Sequence, residues 1–202
     1  MNHPFFSGVE RPLLTIASGN PRKVAEIEAM LSGLPVEVQR QPDDLSVEET
    51  GCTYLENALL KAKAAALRTQ TWTIADDSGL EVDALDGAPG LFSARFASNN
   101  QAKINKLLKA LGDTPYRSAL FRSVMVLCDS NGDLLKTGEG ICWGEILKAP
   151  AYPDGEFESL LWVREAQCTY GELKIQQLSK LGSRGKAAKS IAPYFRQRLG
   201  LE

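Results

Sequence analysis

Two hydrophobic periods alternate along this chain, and they predict its elements. Leu13-Leu14-Thr15-Ile16-Ala17 is a short apolar run suited to a buried strand. Ser18-Gly19-Asn20 breaks it, Pro21 suits a first helical turn, and Val24, Ile27, Met30 and Leu31 recur at helical spacing down to Gly33. Val36–Gln39 alternates like a short strand, and an acidic, loop-like stretch follows from Gln41 to Gly51. Thr53 is placed to cap a helix from Tyr54 to about Arg68, with Glu56 completing a capping box and Leu55, Ala58, Leu59, Ala62 and Ala66 as its apolar stripe. Thr71–Ile74 reads as a strand that ends at Asp76 and Asp77, where Ser78-Gly79 turns the chain; Gly87, Pro89 and Gly90 break the next stretch.

Further on, Asn99–Leu111 carries Ile104, Leu107, Leu108 and Leu111 on one helical face. Arg117–Leu127 and Leu134–Leu147 are strand-rich, and Asp129-Ser130-Asn131-Gly132-Asp133 between them marks a hairpin. Ala149–Glu156 is a loop, and Leu160–Val163 is expected as the last strand. Thr169 is expected to cap a short helix through about Leu181, and Gly182-Ser183-Arg184-Gly185-Lys186 to open a final helix kinked near Pro193. Helices and strands mix throughout, and the hairpin argues for a mixed α/β sheet over a purely parallel one.

Composition narrows the chemistry. The 202 residues suffice for one well-buried domain, with residues 1–11 expected as an irregular extension to a single domain over 12–202. A net charge of −2 gives no reason to propose nucleic acid as a partner. No apolar run approaches the ~20 residues of a membrane span, and Met1–Arg11 lacks the pattern of a signal peptide, so a cytoplasmic protein is expected. Four scattered cysteines form no C-x-x-C, and the one histidine, His3, lies in the N-terminal stretch. Ser-His-Asp catalysis and histidine-rich metal sites therefore have no members; any metal ligands would be carboxylates, which favour a hard ion such as Mg²⁺.

Two places carry candidate chemistry. The Ser18-Gly19-Asn20 loop before a helix N-terminus presents backbone N–H groups and a positive dipole end to an anion, with Lys23 adding a point charge. The plain alternative is an ordinary β–α turn with a solvated lysine. Asp76 and Asp77, adjacent on a strand, point to opposite faces. One is expected to serve a cleft beyond the strand end and the other to anchor backbone amides in the turn. Asn57 and Lys61, four apart, share a helix face that is either solvated or turned to a polyanion.

Four pieces stand in order: Ser18-Gly19-Asn20-Pro21-Arg22-Lys23; Glu49-Thr50-Gly51 with Glu56-Asn57-Ala58 and Lys61-Ala62; Ala75-Asp76-Asp77-Ser78-Gly79-Leu80 running to Gly87-Ala88-Pro89-Gly90 and Ser93-Ala94-Arg95; and Ser183-Arg184-Gly185-Lys186-Ala187. Together they closely resemble the inosine/xanthosine triphosphate pyrophosphatase family. The resemblance implies an elongated mixed sheet with flanking helices, two lobes around a central cleft, a homodimer, and Mg²⁺-dependent hydrolysis of a non-standard purine nucleoside triphosphate to monophosphate and pyrophosphate. Carried over by position, Ser18, Asn20, Lys23 and Lys61 would hold the triphosphate, Glu49 and Asp77 the metal, Asp77 the attacking water, and Ser78 would touch the substrate.

Two departures fall on base recognition. Where the family has Gly-Phe-Gly-Tyr-Asp-Pro, this chain has Asp154-Gly155-Glu156-Phe157-Glu158-Ser159, so that Phe157 and Glu158 take the tyrosine and aspartate places and Gly155 that of the stacking phenylalanine. In the family's Ser-His-Arg, Ser183 replaces histidine while Arg184 remains to contact a purine carbonyl; the upstream lysine falls near Leu178, and Lys180 is either its substitute or plain surface. The same chemistry on other bases, a nucleotide-binding protein with little turnover, and a plain α/β domain are the competing readings.

Overall fold

The computed structural model describes residues 12–200; His3 and the rest of the N-terminal stretch lie outside them. Seven strands form one sheet in the order β2-β1-β3-β4-β5-β6-β7: β1 (Leu13–Ile16), β2 (Glu37–Arg40), β3 (Trp72–Val82), β4 (Ser118–Cys128), β5 (Leu134–Ile146), β6 (Leu161–Val163) and β7 (Cys168–Thr169). β1 runs parallel to β2 and β3, and every other pairing is antiparallel. The expected mixed α/β sheet is thus present. Leu160–Val163 is not its last strand, because β7 follows and pairs with β6.

The helices are α1 (Pro21–Leu31), α2 (Tyr54–Thr69), α3 (Asn100–Leu111), α4 (Ile175–Leu181) and α5 (Ser183–Arg198). Asn20, Thr53 and Asn99 cap the first three with their side chains. Glu56 takes the Cys52 N–H at 2.6 Å, one residue short of the expected box. α2 also turns further than its stripe predicted: Leu55 is exposed, while Asn57 and Ala65 are buried. The alanines explain this, since Ala58, Ala62, Ala65 and Ala66 let the helix lie close on β3 and β4. Thr169 caps only a 3₁₀ turn over Tyr170–Glu172, and α4 begins separately at Ile175.

Two large apolar clusters lie at opposite ends of the long strands. Ile74, Met125 and Leu127 join Leu14, Ile16, Val24, Ile27, Ile191 and Phe195 at one end. Leu80, Val82 and Ala119 join Leu107, Phe157, Leu161 and Tyr170 at the other. Between them, in mid-strand, stand Asp76, Asp77 and Ser78 on β3 and Ser123 on β4. A polar interruption inside an apolar strand cannot be closed over by a core without partners, so it marks where the two apolar clusters part. α5 packs on β5 where Gly138 and Gly140 stand; a side chain at Gly140 would strike the Ser183 carbonyl and the Ala187 N–H. That close approach brings Arg184 down onto β3.

Candidate active site

β1 ends at Ile16, paired with Ile74, while β3 continues for eight more residues. Beyond Ile74, β3 therefore has no strand among the described residues on the β1 side, and only Pro89 bridges that edge further along, at Glu81. Asp76 and Asp77 flank this open edge from opposite faces, and the N-terminus of α1 is delivered to it by the Ala17–Asn20 loop. β1 is also where the parallel strand order reverses, with β2 on one side and β3 on the other. Open α/β sheets hold ligands at such a place. A cleft opens here, lined among others by Asn20, Lys23, Glu49, Asp77, Ser78 and Arg184.

Ser78-Gly79 is not a turn. Both residues lie inside β3, paired with Ser123 and Arg122. Gly79 is required because a side chain there would collide with the Gly90 carbonyl and the Tyr54 hydroxyl. Nor does Asp76 anchor amides in a turn. Its Oδ2 lies 3.2 Å from Lys23 Nζ and accepts from Arg184 Nε at 2.9 Å. Arg184 also donates to Glu26 Oε2 at 2.6 Å and to Ser78 Oγ at 3.0 Å. Burial disfavours the Asp76 carboxylate, but Lys23 and then Arg184 outweigh it and hold its pKa well below the usual range. Lys23 pays the reverse cost: burial lowers its pKa despite Asp76, and Arg184 and Lys61 add to the lowering.

Asp77, on the α2 face, accepts from Asn57 Nδ2 and Lys61 Nζ, both at 3.3 Å. Lys61 Nζ also donates to Glu49 Oε1 at 2.7 Å, so one ammonium spans both carboxylates. Asn57 further accepts the Gly51 N–H at 2.8 Å, tying the Glu49 loop to α2. Burial raises the Asp77 pKa; Lys61 opposes it and Glu49 adds to it. For Lys61, burial is outweighed by Asp77, Asp76 and Glu49, and its pKa rises. Two hard carboxylates already converge on one positive charge. Among the described residues no cluster of three or more His, Cys, Asp or Glu exists. Glu49 and Asp77, as two oxygen donors, suit a hard divalent cation only if water and phosphate oxygens complete its shell.

The anion-binding loop differs in detail from expectation. The Arg22 and Lys23 N–H groups are taken by Asn20 Oδ1, at 2.9 and 3.4 Å, and Ser18 Oγ accepts the Asn20 N–H at 3.2 Å. Asn20 thus caps α1 and faces the cleft at once, while Ser18 supports it from behind.

At the other end of the cleft the base-reading expectations change. Phe157 is 3% exposed and packs against Phe96 in the core, with one flank on the cleft. Glu158 pairs with Arg22 at 2.6 Å across the cleft mouth, and burial raises its pKa against the pull of Arg22 and Arg184. Ser183 bonds the Ser123 hydroxyl at 2.8 Å and lies 3.3 Å from the Tyr170 hydroxyl, so it is engaged within the protein. Burial raises the Tyr170 hydroxyl to about 12. Gly155 is buried, and a side chain there would strike Ser159 and approach Tyr152 Cε2 to 2.8 Å; the position holds no stacking ring. Lys180 is exposed on α4, away from the cleft.

Glu26, Asn57 as a ligand of Asp77, and Lys103 were not singled out from the sequence. Each left a trace: Glu26 adjoins Ile27 on the buried side of α1, and Lys103 stands four and eight residues before Leu107 and Leu111, on the apolar stripe of α3.

A mixed sheet with a helix N-terminus, two lysines and an acidic pair gathered at its switch point defines an α/β protein with a charged cleft at the sheet's edge. The chain belongs to the Ham1 family, whose model matches residues 14–194. The dITP/XTP pyrophosphatase of Synechocystis sp. is 42% identical over 181 residues, covering 89% of this chain and 93% of its own. That of Synechococcus sp. is 41% identical over 182 residues, covering 90% and 88%. Among solved structures, a HAM1 protein from Coxiella burnetii superposes with a TM-score of 0.81 at 33% identity, covering 92% of this chain and 99% of that one. The Staphylococcus aureus Ham1 protein gives 0.76 at 32%, covering 94% and 100%. The family read from the motifs is the one these likenesses identify.

Proposed function

We propose that this chain hydrolyses non-standard purine nucleoside triphosphates (dITP, ITP and XTP) to the monophosphate and pyrophosphate, with Mg²⁺ as cofactor, as a homodimer in the cytoplasm. The observation that carries the reading is the convergence of Lys23, Glu49 and Asp77 on one cleft at the β1 switch point, with Lys61 between the two carboxylates. The names of the relatives support the same chemistry.

Each group has a task that its surroundings suit. Lys23, held toward the cleft by Asp76, and Asn20 Nδ2, which has no partner among the described residues, would bind phosphate oxygens at the positive end of α1. Lys61 would balance charge as it shifts to the leaving pyrophosphate. Glu49 and Asp77 would hold Mg²⁺, which when bound supplies charge neutralisation and a more acidic water. Asp77 would orient the water that attacks the α-phosphorus and take its proton, while the α–β phosphoanhydride bond breaks and its electrons leave on pyrophosphate.

The test is a panel of standard and deaminated triphosphates with Mg²⁺, with pyrophosphate and orthophosphate measured separately. Pyrophosphate from dITP and XTP is expected; orthophosphate, or no release, would overturn the reading. Sedimentation at micromolar concentration tests the dimer. A second reading keeps the chemistry with altered base selectivity, and the engagement of Ser183 with Ser123 and Tyr170 favours it.

A further inference from the structure

Lys103 is a cation of the cleft to which nothing above gives a task. The register of α3 turns it inward with Leu107 and Leu111, and it is only 8% exposed. Its ammonium lies 3.6 Å from Glu156 Oε2, beyond hydrogen-bonding distance, and no acceptor among the described residues takes its protons. The neighbouring Lys106 differs, since it donates to the Phe96 carbonyl at 2.9 Å. The stem is packed in while the ammonium reaches the cleft, where its three unspent donors are open to water or a ligand. Both Lys103 and Glu156 line the same cleft as Lys23 and Asp77, together with the aromatic side chains of Phe121, Phe157 and Tyr170. The other groups expected to read a base there are committed or absent: Ser183 to two hydroxyls, Arg184 to Asp76, Glu26 and Ser78, with Leu178 packed against the core and Lys180 outside.

We propose that Lys103 is a specificity-determining residue that donates to the carbonyl oxygen at C6 of an oxo-purine, with Glu156 accepting the adjacent N1–H. This rests on the purine-nucleotide reading above and names how that site reads its base. Hypoxanthine and xanthine present an acceptor and a donor on this edge. Adenine presents a donor and an acceptor, the reverse, and would leave both side chains facing like groups. Guanine carries the same edge as hypoxanthine, so this pair sorts oxo- from amino-purines and does not reject guanine.

The test is calorimetric binding of inosine 5′-monophosphate and purine riboside 5′-monophosphate, which lacks both the 6-oxygen and the N1 proton, to the wild type, Lys103→Met and Lys103→Gln. One charge-assisted hydrogen bond corresponds to about tenfold or more in affinity. The wild type is expected to prefer the inosine nucleotide by that factor. Lys103→Met should cut the preference severalfold, down to what Glu156 alone supplies through N1–H, and leave the purine riboside nucleotide within about twofold; Lys103→Gln, which keeps a donor, should retain more of it. A wild type without the preference, a variant that keeps it whole, or equal weakening of both ligands would overturn the assignment. If Lys103→Met does not fold, the wild-type preference and the Lys103→Gln ratio decide. Binding of this pattern without pyrophosphate release from ITP would sink the hydrolase reading and leave Lys103 in place.

Discussion

Neutralising the two adjacent aspartates, one at a time, should move stability in opposite directions. Asp76→Asn removes the charge shared by Lys23 and Arg184 at 3.2 and 2.9 Å. Breaking a buried ion pair costs roughly 3–5 kcal/mol. Arg184 keeps Glu26, and asparagine keeps one acceptor, so about 2–3 kcal/mol is expected, or a fall in Tm of about 5–10 °C for a chain of this size. Asp77→Asn removes a carboxylate whose ionisation burial opposes, while Lys61 keeps Glu49 at 2.7 Å. Its stability at pH 7 should stay level or rise by up to about 1 kcal/mol, a Tm gain of at most about 2–4 °C, as for other sites where function is held at the expense of stability. The pH dependence separates them further. The folded pKa of Asp76 is depressed, so its stabilisation is present above the unfolded value near ~3.9 and fades as pH falls below it; the gap to Asp76→Asn closes in acid. The folded pKa of Asp77 is raised, so its contribution is complete below that unfolded value and is lost as pH rises through the folded one; the advantage of Asp77→Asn opens in that window. Thermal unfolding followed by circular dichroism, in chelator-containing buffer from pH 3 to 8, reads all of this. Equal losses in the two variants, or a greater loss in Asp77→Asn, would refute the opposed electrostatics of the pair.

The same Asp77→Asn protein, although folded, should release no measurable pyrophosphate; near-wild-type turnover would remove Asp77 from the reaction. Lys23→Ala should weaken a triphosphate by about tenfold or more and a monophosphate by less, since one charge-assisted contact is lost at the phosphate end; fluorescence titration with both nucleotides compares them. Chelation should abolish activity and Mg²⁺ restore it, and Glu49→Gln should raise the half-saturating Mg²⁺ at least severalfold, read from initial rates across a Mg²⁺ series. Gly155→Phe should destabilise by about 1–3 kcal/mol or more through overpacking against Ser159 and Tyr152, measured by urea unfolding, without a gain in inosine selectivity.

Much of this was legible before any coordinate. Helical and strand periods, caps and a hairpin signal are local, and local sequence sets them: Asn20, Thr53 and Asn99 cap the helices their neighbours predict. The acidic pair, the helix-terminus lysine and Arg184 belong to short motifs and so were visible as well. What the sequence could not decide was the company each group keeps. Asp-Asp-Ser-Gly has the composition of a turn, yet it continues β3 because ten consecutive pairs with β4 hold it extended, and its partners there, Arg122 to Met125, lie 43 to 49 residues away. Asp76 is a counter-ion to Lys23 and Arg184 and Asp77 a partner of Lys61 because strand alternation sends them to different faces, and only the packing of α5 and α2 says which face carries which cation. Gly155 and Ser183 looked like openings in a base pocket, but the neighbours that fill or claim them come from elsewhere in the chain. Lys103 hid inside an amphipathic pattern because period alone cannot distinguish a core from a cleft. Hydrophobic order along the chain determined the elements; burial, charge pairing and strand termination, which are properties of segments brought together, decided what the site can do.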